Sequence, residues 1–312
     1  MAVVTALTTL LVGCELDEVT APPAEDLLVV EAVLRAGRSS QYVLLHHSVD
    51  GTRIPGESGA RVEVIREDGR VIPYAESTLE ACSLIAADND ALEGIQLEAS
   101  CYISDPDAGY FVRPGRTYEL YVETSGGQIA RGRTTLPDYF GFAVPAVWIS
   151  PRTLMGNCIF PSRPFTMVWR KAEGAWSYVL MLELSGWSRI LPLDGPVTDP
   201  LQLVSISVSA NDTTVLFPTN IGLFQRADFD QRIFALFEDG IPPGVQTRMV
   251  VMAAERNYTN AIRGGRFNPS GQIRLSSVVG DAVGVFGGVV PIVIESMVVP
   301  GVPAPPCRMP PT

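Results

Sequence analysis

Thr117-Tyr-Glu-Leu-Tyr-Val-Glu123 decides the fold. Tyr118, Leu120 and Val122 fall on one side of an extended chain and Glu119, Tyr121 and Glu123 on the other, the period of two expected of a strand with one face in a core and one in water. Ser125-Gly-Gly127 then turns the chain into Gln128 to Thr135. Upstream, Arg61 to Ile72 reads as a hairpin turning at Asp68-Gly69, and Leu27 to Leu34 and Gln41 to His47 read as strands. Short strands at this turn spacing predict an antiparallel sandwich over residues 27–137.

Beyond Pro137 the segment 138–164, punctuated by Gly141, Pro145, Pro151, Gly156 and Pro161, reads as a connection with one edge strand. Phe165-Thr-Met-Val-Trp169, a turn at Glu173-Gly174, and Trp176 to Leu184 are similar to the paired strands of a fibronectin type III sandwich, in which a tryptophan fills the core. Leu201 to Ser209, Gln246 to Ala254 and Val289 to Val298 supply further strands, and Arg226 to Phe237 is either a short helix or an irregular strand. The expected class is therefore all-β: two immunoglobulin-like β-sandwiches, 27–137 and 138–299, followed by a proline-rich tail, 300–312. That tail can form neither a helix nor a central strand, so it should run extended over the surface.

The other end of the chain concerns location. Leu11-Val-Gly-Cys14 closes an uncharged apolar run with a small residue before a cysteine, the form of a bacterial lipoprotein signal. Residues 1–13 are expected to be removed and Cys14 to carry the lipid, although the run lacks the Lys or Arg with which such segments normally open. It is too short to span a bilayer. A buried N-terminal strand or helix is the competing reading. Residues 14–26 are acidic, contain Pro22-Pro23 and show no apolar period, so they should form an extended tether. Acidic residues after the acylated cysteine also resemble the signal that sends some lipoproteins to the outer face of the outer membrane.

Five cysteines less Cys14 leave Cys82, Cys101, Cys158 and Cys307, an even number in an oxidising compartment. Of three connectivities, Cys82 with Cys101 and Cys158 with Cys307 is favoured, because the first pair lies within one expected domain. No CxxC pair occurs and the two histidines, His46 and His47, are adjacent on a strand and face opposite sides, so no metal or other cofactor is expected. From Cys14 to Pro137 there are 21 acidic and 10 basic residues, whereas Asp138 to Thr312 has 13 of each. The acidic half makes nucleic acid or an anionic membrane surface a poor partner.

Two family resemblances rest on particular residues. Ala60-Arg-Val-Glu-Val, Asp68-Gly69, Gly109-Tyr-Phe, Arg113-Pro-Gly-Arg-Thr-Tyr-Glu-Leu-Tyr-Val and Thr134-Thr-Leu-Pro137 resemble, in order, the non-catalytic carboxypeptidase-regulatory or transthyretin-like sandwich. Val29-Val-Glu-Ala32, Phe237-Glu-Asp-Gly240, Glu255-Arg-Asn-Tyr-Thr-Asn260, Asn268-Pro-Ser-Gly and Gly280-Asp-Ala-Val-Gly-Val-Phe-Gly-Gly288 resemble the domain-of-unknown-function 4249 family of exported lipoproteins. That resemblance implies a setting near TonB-dependent outer-membrane receptors rather than a mechanism.

No pattern points to catalysis. Gly280 to Gly288 is not a phosphate-binding loop, since no Lys-Ser/Thr follows, and reads as a tight turn with close strand packing. Gly56-Glu-Ser-Gly59 lacks the spacing of a nucleophile elbow, leaving Ser58 a turn residue. Asp88-Asn-Asp90 with Glu93, and Asp105 with Asp107, have calcium-type oxygens but fit ordinary turns better. The expected function is a non-catalytic, lipid-anchored binding or accessory module of the outer membrane, associated with a TonB-dependent transporter or another envelope protein. An envelope structural or adhesion role is the alternative and an unrecognised hydrolase the outside case.

Overall fold

The structure, a computed structural model, describes residues 26–48, 55–86, 99–108, 110–187, 199–223, 231–263, 275–296 and 305–309. Alternation of the kind found at 117–123 recurs along it. The first half runs β1 (Leu28–Arg35), β2 (Tyr42–His47), β3 (Arg61–Arg66), β4 (Val71–Ser77), α1 (Leu79–Ala86), β5 (Ser100–Ser104), β6 (Thr117–Glu123) and β7 (Ile129–Thr135). Then come β8 (Phe142–Val144), β9 (Met155–Asn157), β10 (Phe165–Trp169), β11 (Ser177–Ser185), β12 (Leu201–Ile206) and β13 (Thr214–Phe217). The last part comprises α2 (Gln231–Asp239), β14 (Gln246–Ala254), α3 (Arg256–Arg263), β15 (Val278–Gly280) and β16 (Ala282–Ser296). The expected all-β class with sandwich-like sheets is what the chain adopts.

One long sheet has the order β12-β11-β14-β16-β1-β2-β5-β4-β3-β6-β7-β15, with β9 beside β16, and a second sheet has the order β13-β10-β8. In the first lobe β6 buries Tyr118, Leu120 and Val122, the face its alternation assigned to the core. In the second lobe the three-stranded sheet covers β11: the buried Trp169 of β10 meets the Tyr178 ring at 5.3 Å, so this tryptophan fills the core as expected, while Trp176 stays half exposed. The other face of β11, β14 and β16 buries Val179, Val250 and Val293 in a smaller cluster with Tyr258 of α3.

Strand β16 crosses the division drawn at Pro137. Its first half, Ala282 to Val289, pairs in parallel with Leu28 to Arg35, and its second half, Val289 to Ser296, pairs antiparallel with β14. Strand β15 pairs with β7. Residues 278–289, assigned by sequence to the second sandwich, thus complete the first, and one continuous core runs from Leu28 to Ile294. The strand expected over 289–298 is longer at its start because its glycines permit close packing. A Cβ on Gly284 would stand 2.0 Å from the Val30 carbonyl oxygen, and one on Gly288 would stand 2.5 Å from Leu136. Gly132 of β7 is a site of the same kind, 2.7 Å from the Phe286 Cβ. The Gly280 to Gly288 stretch therefore contains a turn at Gly280-Asp281 followed by strand.

Helices α1 and α3 were not read from the sequence. Helix α1 starts where the Thr78 hydroxyl accepts the Ala81 N–H, an N-cap that periodicity over eight residues does not reveal. The ambiguous 226–237 stretch resolves, in its described part, into α2, which buries Ile233, Phe234 and Phe237 on one face at helical spacing.

Both expected disulfides are formed. Cys82 of α1 joins Cys101 of β5 with Cα atoms 6.1 Å apart, and Cys158 joins Cys307 with Cα atoms 4.8 Å apart. The second link holds the described part of the tail, which bridges Ala146 and Ile159. On the chain-entropy model the short loop contributes about 3 kcal/mol and the long one about 5 kcal/mol.

Gly284, at φ +138 with a carbonyl against its Cβ position, has no room for any side chain. We expect Gly284→Ala to lower stability by about 3 kcal/mol in denaturant titrations. Gly69→Ala, at a positive φ but in open space, should cost only about 1 kcal/mol.

Candidate functional site

Three tyrosine hydroxyls on strands tie loop backbone to the sheets. Tyr102 donates to the Glu57 carbonyl and accepts the Ala60 N–H. Tyr178 accepts the Ala172 N–H. Tyr118, buried on β6, donates to the Phe111 carbonyl at 3.2 Å and accepts the Arg113 N–H at 2.7 Å, which fixes loop 110–116.

That loop forms one wall of an open cleft of about 710 Å³. The opposite wall is the connection 138–154. Val112 and Leu154, both buried, line the cleft together with Gly37, and the rings of Tyr110 and Tyr139 stand in its walls. Arg70, Arg113, Arg116 and Arg152 surround it, with Asp138 the one carboxylate in the lining. The Arg152 guanidinium lies 4.8 Å from the Tyr110 ring centre, and Arg70 lies 5.5 Å from the ring of Phe111. Arg116 pairs with Glu67 at 2.9 Å. Arg66, which also stacks on Phe111, is neutralised at the hairpin turn by Asp68, whose carboxyl the Arg66 hydrogen bonds hold down to about 2. Arg113 and Arg152 have no carboxylate partner among the described residues. None of the four cleft arginines was singled out as a site residue from sequence. The available signal was the clustering of Tyr110, Phe111, Arg113 and Arg116 within an otherwise acidic half.

The residues that were singled out lie elsewhere. His47 is held between Asp26, at 2.8 Å from Nδ1, and Glu57, at 3.0 Å from Nε2. These bonds, that to Glu57 foremost, raise its pKa above the ordinary histidine value against the effect of burial. His46 is more buried; burial opposes its charging, yet Glu31 at 3.8 Å and the His47 carbonyl leave its pKa raised as well. Ser58 shares a hydrogen bond with Ser100. Glu255, buried at the start of α3, accepts the N–H groups of Asn257, Tyr258 and Gly288, and burial raises its pKa in spite of them. Asn257 donates to the Arg133 and Phe286 carbonyls. The Glu255-Arg-Asn-Tyr and Phe286-Gly-Gly stretches are thus one structural joint.

Cys14, its signal segment and the tether up to Glu25 lie outside the described residues, as do Asp88, Asn89, Asp90 and Glu93. Asp105 accepts the Ala108 N–H through its backbone carbonyl, and Asp107 falls in the one-turn helix Pro106–Ala108. Among the described residues no group of three His, Cys, Asp or Glu side chains is placed to hold a metal ion. No described helix is long and apolar enough to cross a membrane.

Comparison with known proteins gives a match of residues 15–150 to the model of a domain of unknown function, DUF4249. The expected resemblance to that family is borne out over this stretch, and the elements between Phe237 and Gly288 fall beyond it. The comparison with curated proteins gives no match. Among solved structures the chain is similar to "DIP-gamma IG1+IG2" at 10% identity and TM-score 0.19, covering 86% of this chain and 96% of that one. It is similar also to a DUF4785 family protein from Legionella pneumophila at 12% identity and TM-score 0.18, covering 71% of this chain and 51% of that one.

Tyr118→Phe leaves the Arg113 N–H without its partner and the Phe111 carbonyl with the Arg66 guanidinium alone. It should cost about 2 kcal/mol by thermal or chemical denaturation, with faster amide exchange confined to loop 110–116. For His47, a folded pKa above the unfolded one means that its contribution is complete below the unfolded value and is lost as pH rises through the folded value. Denaturation of wild type and His47→Gln should therefore differ most near pH ~6, below the unfolded value, and the difference should shrink as pH rises through the folded value. A difference that grows with pH would show the opposite sign.

Proposed function

We propose that the chain is a non-catalytic cell-envelope lipoprotein, anchored in the outer membrane through acylated Cys14 and acting as a binding or accessory module beside a TonB-dependent transporter. The observation that carries this reading is the use of the cysteines. Four of the five pair in two disulfides, which persist in oxidising compartments, and the one left over stands behind Leu11-Val-Gly with the form of a lipid acceptor. Asp26, the last residue of the tether, meets His47 on β2, so the anchor would enter the fold where β1 begins and β2 ends.

The perturbed polar groups support a structural rather than a chemical use. His47 is engaged on both ring nitrogens, and the Glu255 carboxylate accepts three backbone N–H groups. The charge-balanced second half exposes Trp148 and Trp176, and rings on a neutral surface desolvate readily on association. Those two rings equally favour an envelope structural or adhesion role as the second reading.

Metabolic labelling with an alkyne fatty acid should mark wild type and not Cys14→Ala, and the mature protein should begin at Cys14. Equal labelling of the two would refute the anchor. Crosslinking in outer membranes followed by capture should recover a transporter; recovery of matrix or peptidoglycan alone would favour the adhesion reading.

A further inference from the structure

We infer that the cleft between loop 110–116 and the connection 138–154 is a binding site for a small oxyanionic ligand, carrying carboxylate or phosphate on a body of sugar size. This rests on the reading of the chain as a binding module and supplies its ligand class.

The first support is charge. The half of the chain that supplies Arg70, Arg113 and Arg116 has 21 acidic against 10 basic residues from Cys14 to Pro137, yet three of those bases border one cleft and Arg152 joins them from the far wall. Glu67 offsets Arg116, and the Asp138 carboxylate accepts the Tyr139 N–H. Arg113 and Arg152 remain without a carboxylate among the described residues. In an acidic surrounding a free guanidinium on a long side chain would turn toward a carboxylate. Here the backbone of Arg113 is fixed by the Tyr118 hydroxyl, and the head group of Arg152 is laid on Tyr110. The donor fork of Arg152 is therefore held before a ligand arrives, while Arg113 extends a second guanidinium from a fixed backbone, and a planar fork suits bidentate recognition of carboxylate or phosphate.

The second support is shape. The Tyr139 ring, nearly half exposed, offers a flat face to the body of a ligand, over a floor packed with the buried Val112 and Leu154. The volume of about 710 Å³ lies in the range of small-molecule sites. The acidic surplus of the half that supplies one wall argues for a small ligand, since a long polyanion would be repelled where it ran over that half.

Calorimetric titration of the full chain with trigalacturonate, glucose 6-phosphate and neutral maltotriose tests the inference. At least one charged probe should bind, maltotriose should not, and Arg113→Gln with Arg152→Gln should weaken binding by about tenfold or more without lowering the melting temperature. Raising salt from about 50 to about 500 mM should weaken it further. Binding of the first probe alone identifies a sugar acid as the source, and binding of the second alone a phosphate ester; either supports the site. Failure of both charged probes, equal binding of maltotriose, or unchanged binding by the double variant would overturn it. Consumption of a bound probe would instead refute the binding-module reading and leave the cleft standing. Capture of an envelope partner with no probe bound would refute the cleft and leave the module.

Discussion

The approach of Gly284 to the Val30 carbonyl is the contact on which the rest depends. A side chain there would push β16 away from β1, and β16 is the strand that belongs to both lobes. Its first eight residues complete one set of strands and its remainder completes the other, so the apolar core passes from Leu28 to Ile294 without a break. Gly132, Gly287 and Gly288 serve the same end from neighbouring positions, admitting Phe286, Tyr258 and Leu136 where a methyl group would collide. Glu255 and Asn257 then lock the joint through backbone N–H and carbonyl groups that the close packing would otherwise leave unsatisfied.

A frame held this firmly can support loops that have little regular structure of their own. Loop 110–116 contains Pro114 and Gly115 and is tied down at Phe111 and Arg113 by one buried phenol on β6, with backbone bonds to Leu136 and Pro137 at its far end. The alternation that puts Tyr118 in the core thus also places Arg113 at the surface with its backbone immobilised. Core packing and the geometry of the cleft are joined in one side chain.

Much of this was legible in the sequence, and the exceptions have physical reasons. Strands β6, β10 and β14 were readable because their side chains alternate or form short apolar runs between turns. The disulfide pairing followed from which cysteines share an expected lobe. The full length of β16 was hidden because glycines that serve close packing look, in one dimension, like turn residues. Helix α1 was hidden because one capping threonine defines it. The cleft was hidden because Arg113 and Arg152 meet only through the fold: each is an unremarkable base in its own stretch, and the phenol that positions one of them lies on a strand chosen for burial.

The β1–β16 ladder has a consequence for the order of assembly. A chain delivered N-terminus first presents Leu28 to Arg35 long before Ala282 to Val289 exists to cover that edge, and Cys158 must wait a further 149 residues for Cys307. The first strand therefore passes through biogenesis with an unfilled edge, sheltered on one side by β2 and open on the other. Contacts of such large sequence separation close slowly, and an open strand edge invites strangers. A truncation that removes Ala282 to Val289 would therefore strip β1 of a neighbour and damage the N-terminal lobe as surely as the one in which the cut is made.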